Sequence, residues 1–293
     1  MSYHRTVSCG IARGGRVNGF LFSNNQRVYT MKFYRKLMWA VALTVAAAVS
    51  LSSCATTANA QTKQTSARKK VVVVWSEGTA PKRVHPNDIN GAIADGLKGS
   101  LKGWEIVTAG INDPDQGLPD ELLNRCDVLI WWGHKKHDLV KDELVAKIVK
   151  RVKEDGMGFI GLHSCHFAKV NKALMGSACS WGDYKGDSAT VDITVKDSTH
   201  PIAAGVKDFQ ILQSERYTEP YAVPEPEAVP FEGHYTLKNG SKDPVMRMGL
   251  CWHSGKGKCF YLQAGHETNP TFFDNSVKKI MANAVQWAAP ASN

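Results

Sequence analysis

Three apolar runs in this chain end on histidine. Val128-Leu129-Ile130-Trp131-Trp132-Gly133 leads into His134 and His137. Gly158-Phe159-Ile160-Gly161-Leu162 leads into His163, Ser164, Cys165 and His166, and Phe260-Tyr261-Leu262-Gln263-Ala264-Gly265 into His266 and Glu267. Neutral imidazoles bind divalent metals, and a catalytic zinc typically keeps three protein nitrogen or oxygen ligands and one water at about 2.0–2.2 Å. The pKa of that water falls to about 7, giving a nucleophile or base at neutral pH. His134, His163 and His266 are the expected ligands of a divalent metal, with zinc the expected ion. His137 and His166 each lie three residues beyond one of these, the spacing of neighbours on a helical turn. His137 is expected as a further ligand, and His166 as a catalytic or substrate-contacting group. A single histidine of this kind more often caps a strand and bonds a backbone carbonyl; five at three strand ends favour a site.

The elements that must position these groups follow from periodicity. Val71–Trp75, a β-branched run, reads as a strand buried on both faces, and Glu105–Ala109, 128–132 and 158–162 as further strands. Between them lie helical patterns: Pro86–Leu101 with Ile89, Ile93, Leu97 and Leu101 on one face, a brief helix at 119–123, and Asp142–Glu154. Strands alternating with helices predict a parallel α/β sheet, flavodoxin-like and doubly wound. In such sheets ligands bind beyond the carboxyl ends of the strands, where the histidines fall. The second half predicts a half-exposed strand at 191–195 and an extended proline-rich loop at 218–230. It continues with an antiparallel hairpin, Met246–Trp252 and Cys259–Leu262 about Gly255-Lys256-Gly257, and a closing helix at 272–287.

Several separate stretches resemble the ThuA-like (trehalose-utilisation) family, a branch of the class I glutamine amidotransferase-like fold. They are Trp131-Trp132-Gly133-His134 with His137, Gly161-Leu162-His163-Ser164 with His166, and His200-Pro201-Ile202 with Gly205 and Phe209. Glu215-Arg216-Tyr217, Gly255-Lys256-Gly257 and Gly265-His266 complete the set, over roughly residues 70–289. The resemblance implies sugar metabolism, with trehalose or 3-keto-glycosides as substrate class. Amidotransferases carry a nucleophilic cysteine on a sharp strand-to-helix elbow. His163 occupies that place here, with Cys165 displaced from the tip, and their triad histidine corresponds to His266. A glutaminase is therefore not expected, and a cysteine hydrolase using Cys165 with His266 is the weakest of the readings.

The resemblance also makes Glu215 a candidate general acid/base or orienter of a ligand histidine, with Tyr217 beside it. Trp131 and Trp132 are candidates for stacking on a sugar face or for core packing. His85, at another strand end, is a candidate substrate contact. His200, before Pro201, reads as a turn residue, and His253 as surface. The expected function is a metal-dependent hydrolase, lyase or isomerase of a small carbohydrate. The alternative is a non-catalytic sugar- or metal-binding lipoprotein.

Met31 opens a secretory signal: a basic start, an apolar stretch from Leu37 to Leu51, and small residues behind it. That stretch is shorter than the run of about 20 residues a membrane span needs. Leu51-Ser52-Ser53-Cys54 resembles a bacterial lipobox, and Ala58-Asn59-Ala60 fits ordinary signal peptidase. The product is expected to be exported, periplasmic or anchored to the membrane by lipid at Cys54 alone. Residues 1–30 read as an upstream extension, 31–60 as signal, 61–70 as a flexible tether and 71–289 as one domain. The formal charge of +9 comes from 36 Lys+Arg against 27 Asp+Glu, and seven of the basic residues precede position 61. Removing them leaves 29 against 27, or +2. A nucleic-acid footprint needs a clustered basic domain, so nucleic acid is not an expected partner. Five cysteines remain in the domain, an odd count that argues against a disulfide framework; Cys251 and Cys259 flank the hairpin and read as a pair or as buried thiols.

Overall fold

The computed structural model describes residues 68–291. The expected export signal at 31–60, Cys54 and most of the expected tether lie outside the described residues.

Strand β1 (Val71–Ser76) is buried along its whole length and splits its side chains between two cores. Val72 and Val74 enter one; Val71, Val73 and Trp75 enter the other. This period-2 division of an all-apolar run is what a strand covered on both faces produces. It recurs in β3 (Val128–Trp132), β4 (Gly158–Leu162) and β9 (Gly257–Leu262). Helices α1 (Asp88–Lys98) and α5 (Asn275–Ala288) cover the first core. Helices α2 (Asp120–Arg125), α3 (Asp142–Asp155) and α4 (Lys169–Met175) cover the second. α5 starts three residues later than its apolar periodicity suggests, because the Asp274 carboxylate accepts from the amides of Ser276 and Val277 and caps the helix there.

The remaining strands are β2 (Glu105–Gly110), β5 (Asp183–Val195), β6 (Phe209–Thr218), β7 (Ala228–Thr236) and β8 (Met246–Ser254). All nine form one mixed sheet in the order β2-β1-β3-β4-β9-β8-β7-β5-β6. The first four ladders are parallel and the last four antiparallel. The expected mostly parallel sheet with one added hairpin is thus corrected: half the ladders are antiparallel. β5 is longer than its alternating segment, and β6 and the end of the proline-rich stretch are strands. Cys251 and Cys259 are buried free thiols, as are the other three domain cysteines.

Register sets up the site. Ser76, Trp132, Leu162 and Leu262 are aligned across β1, β3, β4 and β9. The residues that follow each strand therefore leave the sheet at one edge, side by side.

Candidate active site

His163 is the first residue beyond β4, and its backbone is left-handed, with φ of +46°. This strained elbow turns the side chain back over the end of the sheet. The imidazole is fully buried and held at both nitrogens: Nδ1 is 2.8 Å from the carbonyl oxygen of Gln263, and Nε2 is 2.8 Å from Oε2 of Glu215. A carbonyl and a carboxylate are both acceptors. The ring therefore faces an acceptor at each nitrogen.

Glu215 is the hub of the cluster. The Tyr217 hydroxyl donates to its Oε2 at 3.0 Å, and Nε2 of His266 lies 3.6 Å from the same oxygen. Burial alone would push the Glu215 carboxyl up. The hydrogen bond and charge of His163, the charge of His266 and the Tyr217 hydroxyl outweigh it and hold the carboxyl at about 2. Glu215 comes from β6, four strands away from β9 in the sheet order. The antiparallel half brings it back, and its amide donates to the carbonyl of Gly265 at 3.2 Å.

The second histidine of the cluster, His266, has the Thr268 hydroxyl 2.6 Å and the Thr268 amide 3.3 Å from its Nδ1. Burial, and then the charge of His163, lower its pKa to about 4, so the ring is neutral at pH 7. His134 meets His266 edge-on, ring centres 5.2 Å apart, and burial lowers its pKa too. Glu267, nearly fully buried, lies 4.0 Å from Nε2 of His134 and accepts from Lys135 Nζ and the Thr79 hydroxyl. Three imidazoles and two carboxylates thus share one crevice. Gln263 braces its floor, its side-chain amide donating to the carbonyl of Tyr217 at 3.1 Å and its Oε1 lying 2.7 Å from the Tyr235 hydroxyl.

Gly265 is a close-approach glycine: an added Cβ would lie 2.9 Å from Cβ of His163. Gly265→Ala is expected to lower stability by about 1–3 kcal/mol, the range for overpacking a filled site. Chemical denaturation checks this; an unchanged midpoint would mean the elbow is free to move.

Several expected site residues stand elsewhere. His137 is grouped with Glu77, Nδ1 to Oε1 3.9 Å, rather than with the cluster at Glu215. Glu77 follows β1 directly, is buried, and accepts from the amides of Lys135 and Lys136, fixing the loop that carries His134. Trp131 and Trp132 do not line the crevice: Trp131 stacks on Trp75 at 3.7 Å in one core, and Trp132 fills the other. His85 is a buried packing residue, with Nε2 3.1 Å from the carbonyl oxygen of Asn269 and its ring against Phe273. His166 is buried, with Nδ1 2.8 Å from the carbonyl oxygen of Cys179; burial lowers its pKa to about 3, so it supports the site as a neutral ring. The Cys165 thiol is fully buried, and burial pushes its pKa up, which opposes a thiolate nucleophile.

Glu77, Gln263 and Thr268 were not singled out from the sequence. Glu77 had a usable signal, an acid directly behind a buried strand, as Glu267 stands behind β9.

The family model for trehalose utilisation matches residues 70–288. The chain belongs to the ThuA family. Two solved structures described as ThuA-like align with this member. That from Bacteroides uniformis has 17% identity and a TM-score of 0.53, covering 76% of this chain and 92% of its own. That from Parabacteroides merdae has 11% identity and a TM-score of 0.55, with 75% and 89% covered. A cytoplasmic protein of Salmonella typhimurium aligns at 12% identity and a TM-score of 0.50, covering 75% of this chain and all of its own. These likenesses show the fold. No curated protein matches the sequence.

Among the described residues no three His, Cys, Asp or Glu side chains are grouped to hold a metal as they stand. The donor chemistry at Glu215 nonetheless fits one. Nε2 of His163 and of His266 flank the same carboxylate oxygen. Behind the first of them, Nδ1 of His163 meets the carbonyl of Gln263, an orienting contact that ligand histidines use.

Proposed function

We propose that this ThuA protein is an exported, metal-dependent enzyme acting on a carbohydrate derivative of the trehalose or 3-keto-glycoside type. The reading rests on one observation: Nε2 of His163 faces Oε2 of Glu215 at 2.8 Å while Nδ1 is committed to a carbonyl. Such a pair takes up a proton or a divalent cation. His163, His266 and Glu215 would hold the ion, zinc by its preference for nitrogen and oxygen ligands, with His134 beside them. The bound metal would polarise a carbonyl or activate a water. Of the chain's own groups, neutral His134, which lies outside that ligand set, would accept a proton. The family's description as trehalose utilisation supports the substrate class. The order β2-β1-β3-β4 with helices on both faces supports a flavodoxin-like, doubly wound reading of the parallel half. The basic and apolar pattern from Met31 supports export, with Cys54 the lipid-bearing residue.

Elemental analysis of purified protein and of His163→Ala tests the metal. About one zinc per chain is expected in the native protein and almost none in the variant, since losing one ligand of a site of this kind removes most of its affinity. Equal metal content in both would overturn this ligand set. Metal without turnover of any sugar would favour the binding-protein alternative.

A further inference from the structure

We propose that Phe167 and Tyr184 form a platform on which a second pyranose ring of the substrate stacks, beside the ring that meets Glu215. The proposal rests on the carbohydrate reading above and deepens it. Most large aromatic side chains of the described domain are buried, but Phe167 and Tyr184 keep 36% and 39% of their surface accessible. Their rings are stacked at 28° between planes, centres 5.6 Å apart. Both rest on His166, at 4.1 and 5.5 Å.

This pair adjoins the reacting carboxylate. Tyr217 meets Tyr184 edge-on at 5.3 Å and His166 at 5.1 Å, and its hydroxyl donates to Glu215. One aromatic ring therefore separates the platform from Oε2 of Glu215. A glycoside spans a comparable step: the ring that reacts, the bridging oxygen, and the ring that leaves.

The surface suits that ring chemically. A pyranose presents a patch of C–H groups between hydroxyls, and aromatic surface takes up the C–H patch while the hydroxyls stay bonded to water. Small-molecule sites combine such apolar walls with a few polar groups. Here Nζ of Lys172 lies over the Phe167 ring, 4.9 Å from its centre, and on swinging aside would supply donors for hydroxyl oxygens. The platform is fixed rather than loose. The Tyr184 hydroxyl accepts from the amide of Trp181 at 2.8 Å, and His166 beneath is tied to Cys179.

Calorimetric titration with trehalose and with the single-ring methyl α-D-glucopyranoside tests the platform. The native protein should bind trehalose more tightly than the single-ring glycoside. Phe167→Leu and Tyr184→Ala should each weaken trehalose binding about tenfold, or about 1.4 kcal/mol, and leave the single-ring affinity unchanged. Tyr184→Phe, which keeps the ring, should keep the preference for trehalose. Phe167→Leu retains apolar volume over His166, and thermal melts of each variant establish that it is folded. Undiminished trehalose binding in both ring-deleting variants, or equal losses for both sugars, overturns the platform while the carbohydrate reading stands. A native protein that binds neither these sugars nor their 3-keto derivatives overturns the carbohydrate reading, and the platform with it.

Discussion

On the proposed function, Glu215→Gln is expected to lower kcat/KM on a 3-keto-glucoside by about 10²–10⁴, the range for removing a positioned acid–base group. Glutamine keeps the volume and still accepts from Tyr217, so the fold has little reason to change. What disappears is the charge between Nε2 of His163 and Nε2 of His266, 2.8 and 3.6 Å from the same oxygen. Without it the pair no longer exchanges a proton, and a cation loses its only anionic ligand in that set. Steady-state kinetics with metal analysis checks both. Near-native turnover in the variant would confine Glu215 to a packing role.

The parts of this arrangement differ in how readable they were. The histidines behind β3, β4 and β9 were legible because apolar strands buried on both faces have sharp ends, and parallel register aligns those ends. Glu215 was legible only through the family motif. Its meeting with His163 depends on four antiparallel ladders that return β6 to Gly265, and no local pattern encodes that path. The period-2 rule assigns Trp131 and Trp132 to opposite faces of a doubly covered strand, so their burial in two cores follows from the element itself. His137 shows the limit of spacing arguments. It lies three residues beyond His134, but the turn between them carries it toward Glu77, a partner invisible until β1 and β3 are seen as neighbours. The packing of His85 is hidden for a similar reason, since its carbonyl partner at Asn269 is 184 positions away.

Stability should fall as the solution is acidified from about pH 6.5, and His166 should account for a large share of the loss. In the folded chain its pKa is about 3, because burial among Phe167, Tyr184 and Tyr217 disfavours the charged ring. In the unfolded chain the ring is solvated and titrates near 6.5. Below pH 6.5 the unfolded chain therefore binds a proton that the folded chain refuses, and the equilibrium moves toward unfolding until about pH 3. Each pKa unit is worth about 1.4 kcal/mol, so the loss attributable to His166 down to about pH 3 is on the order of 5 kcal/mol. His266 acts in the same direction between about 6.5 and about 4, and Glu215 from the ordinary carboxylate range down to about 2. His166→Phe, which keeps an aromatic ring over Cys179 without a titrating group, should flatten the slope and leave the part owed to His266 and Glu215. The variant gives up the contact with the Cys179 carbonyl, so at neutral pH it should start about 1–3 kcal/mol less stable. Its deficit should then narrow as the pH falls. Urea midpoints from pH 7 to pH 4 check this; parallel curves for the two proteins would mean that His166 takes up its proton in the fold without cost.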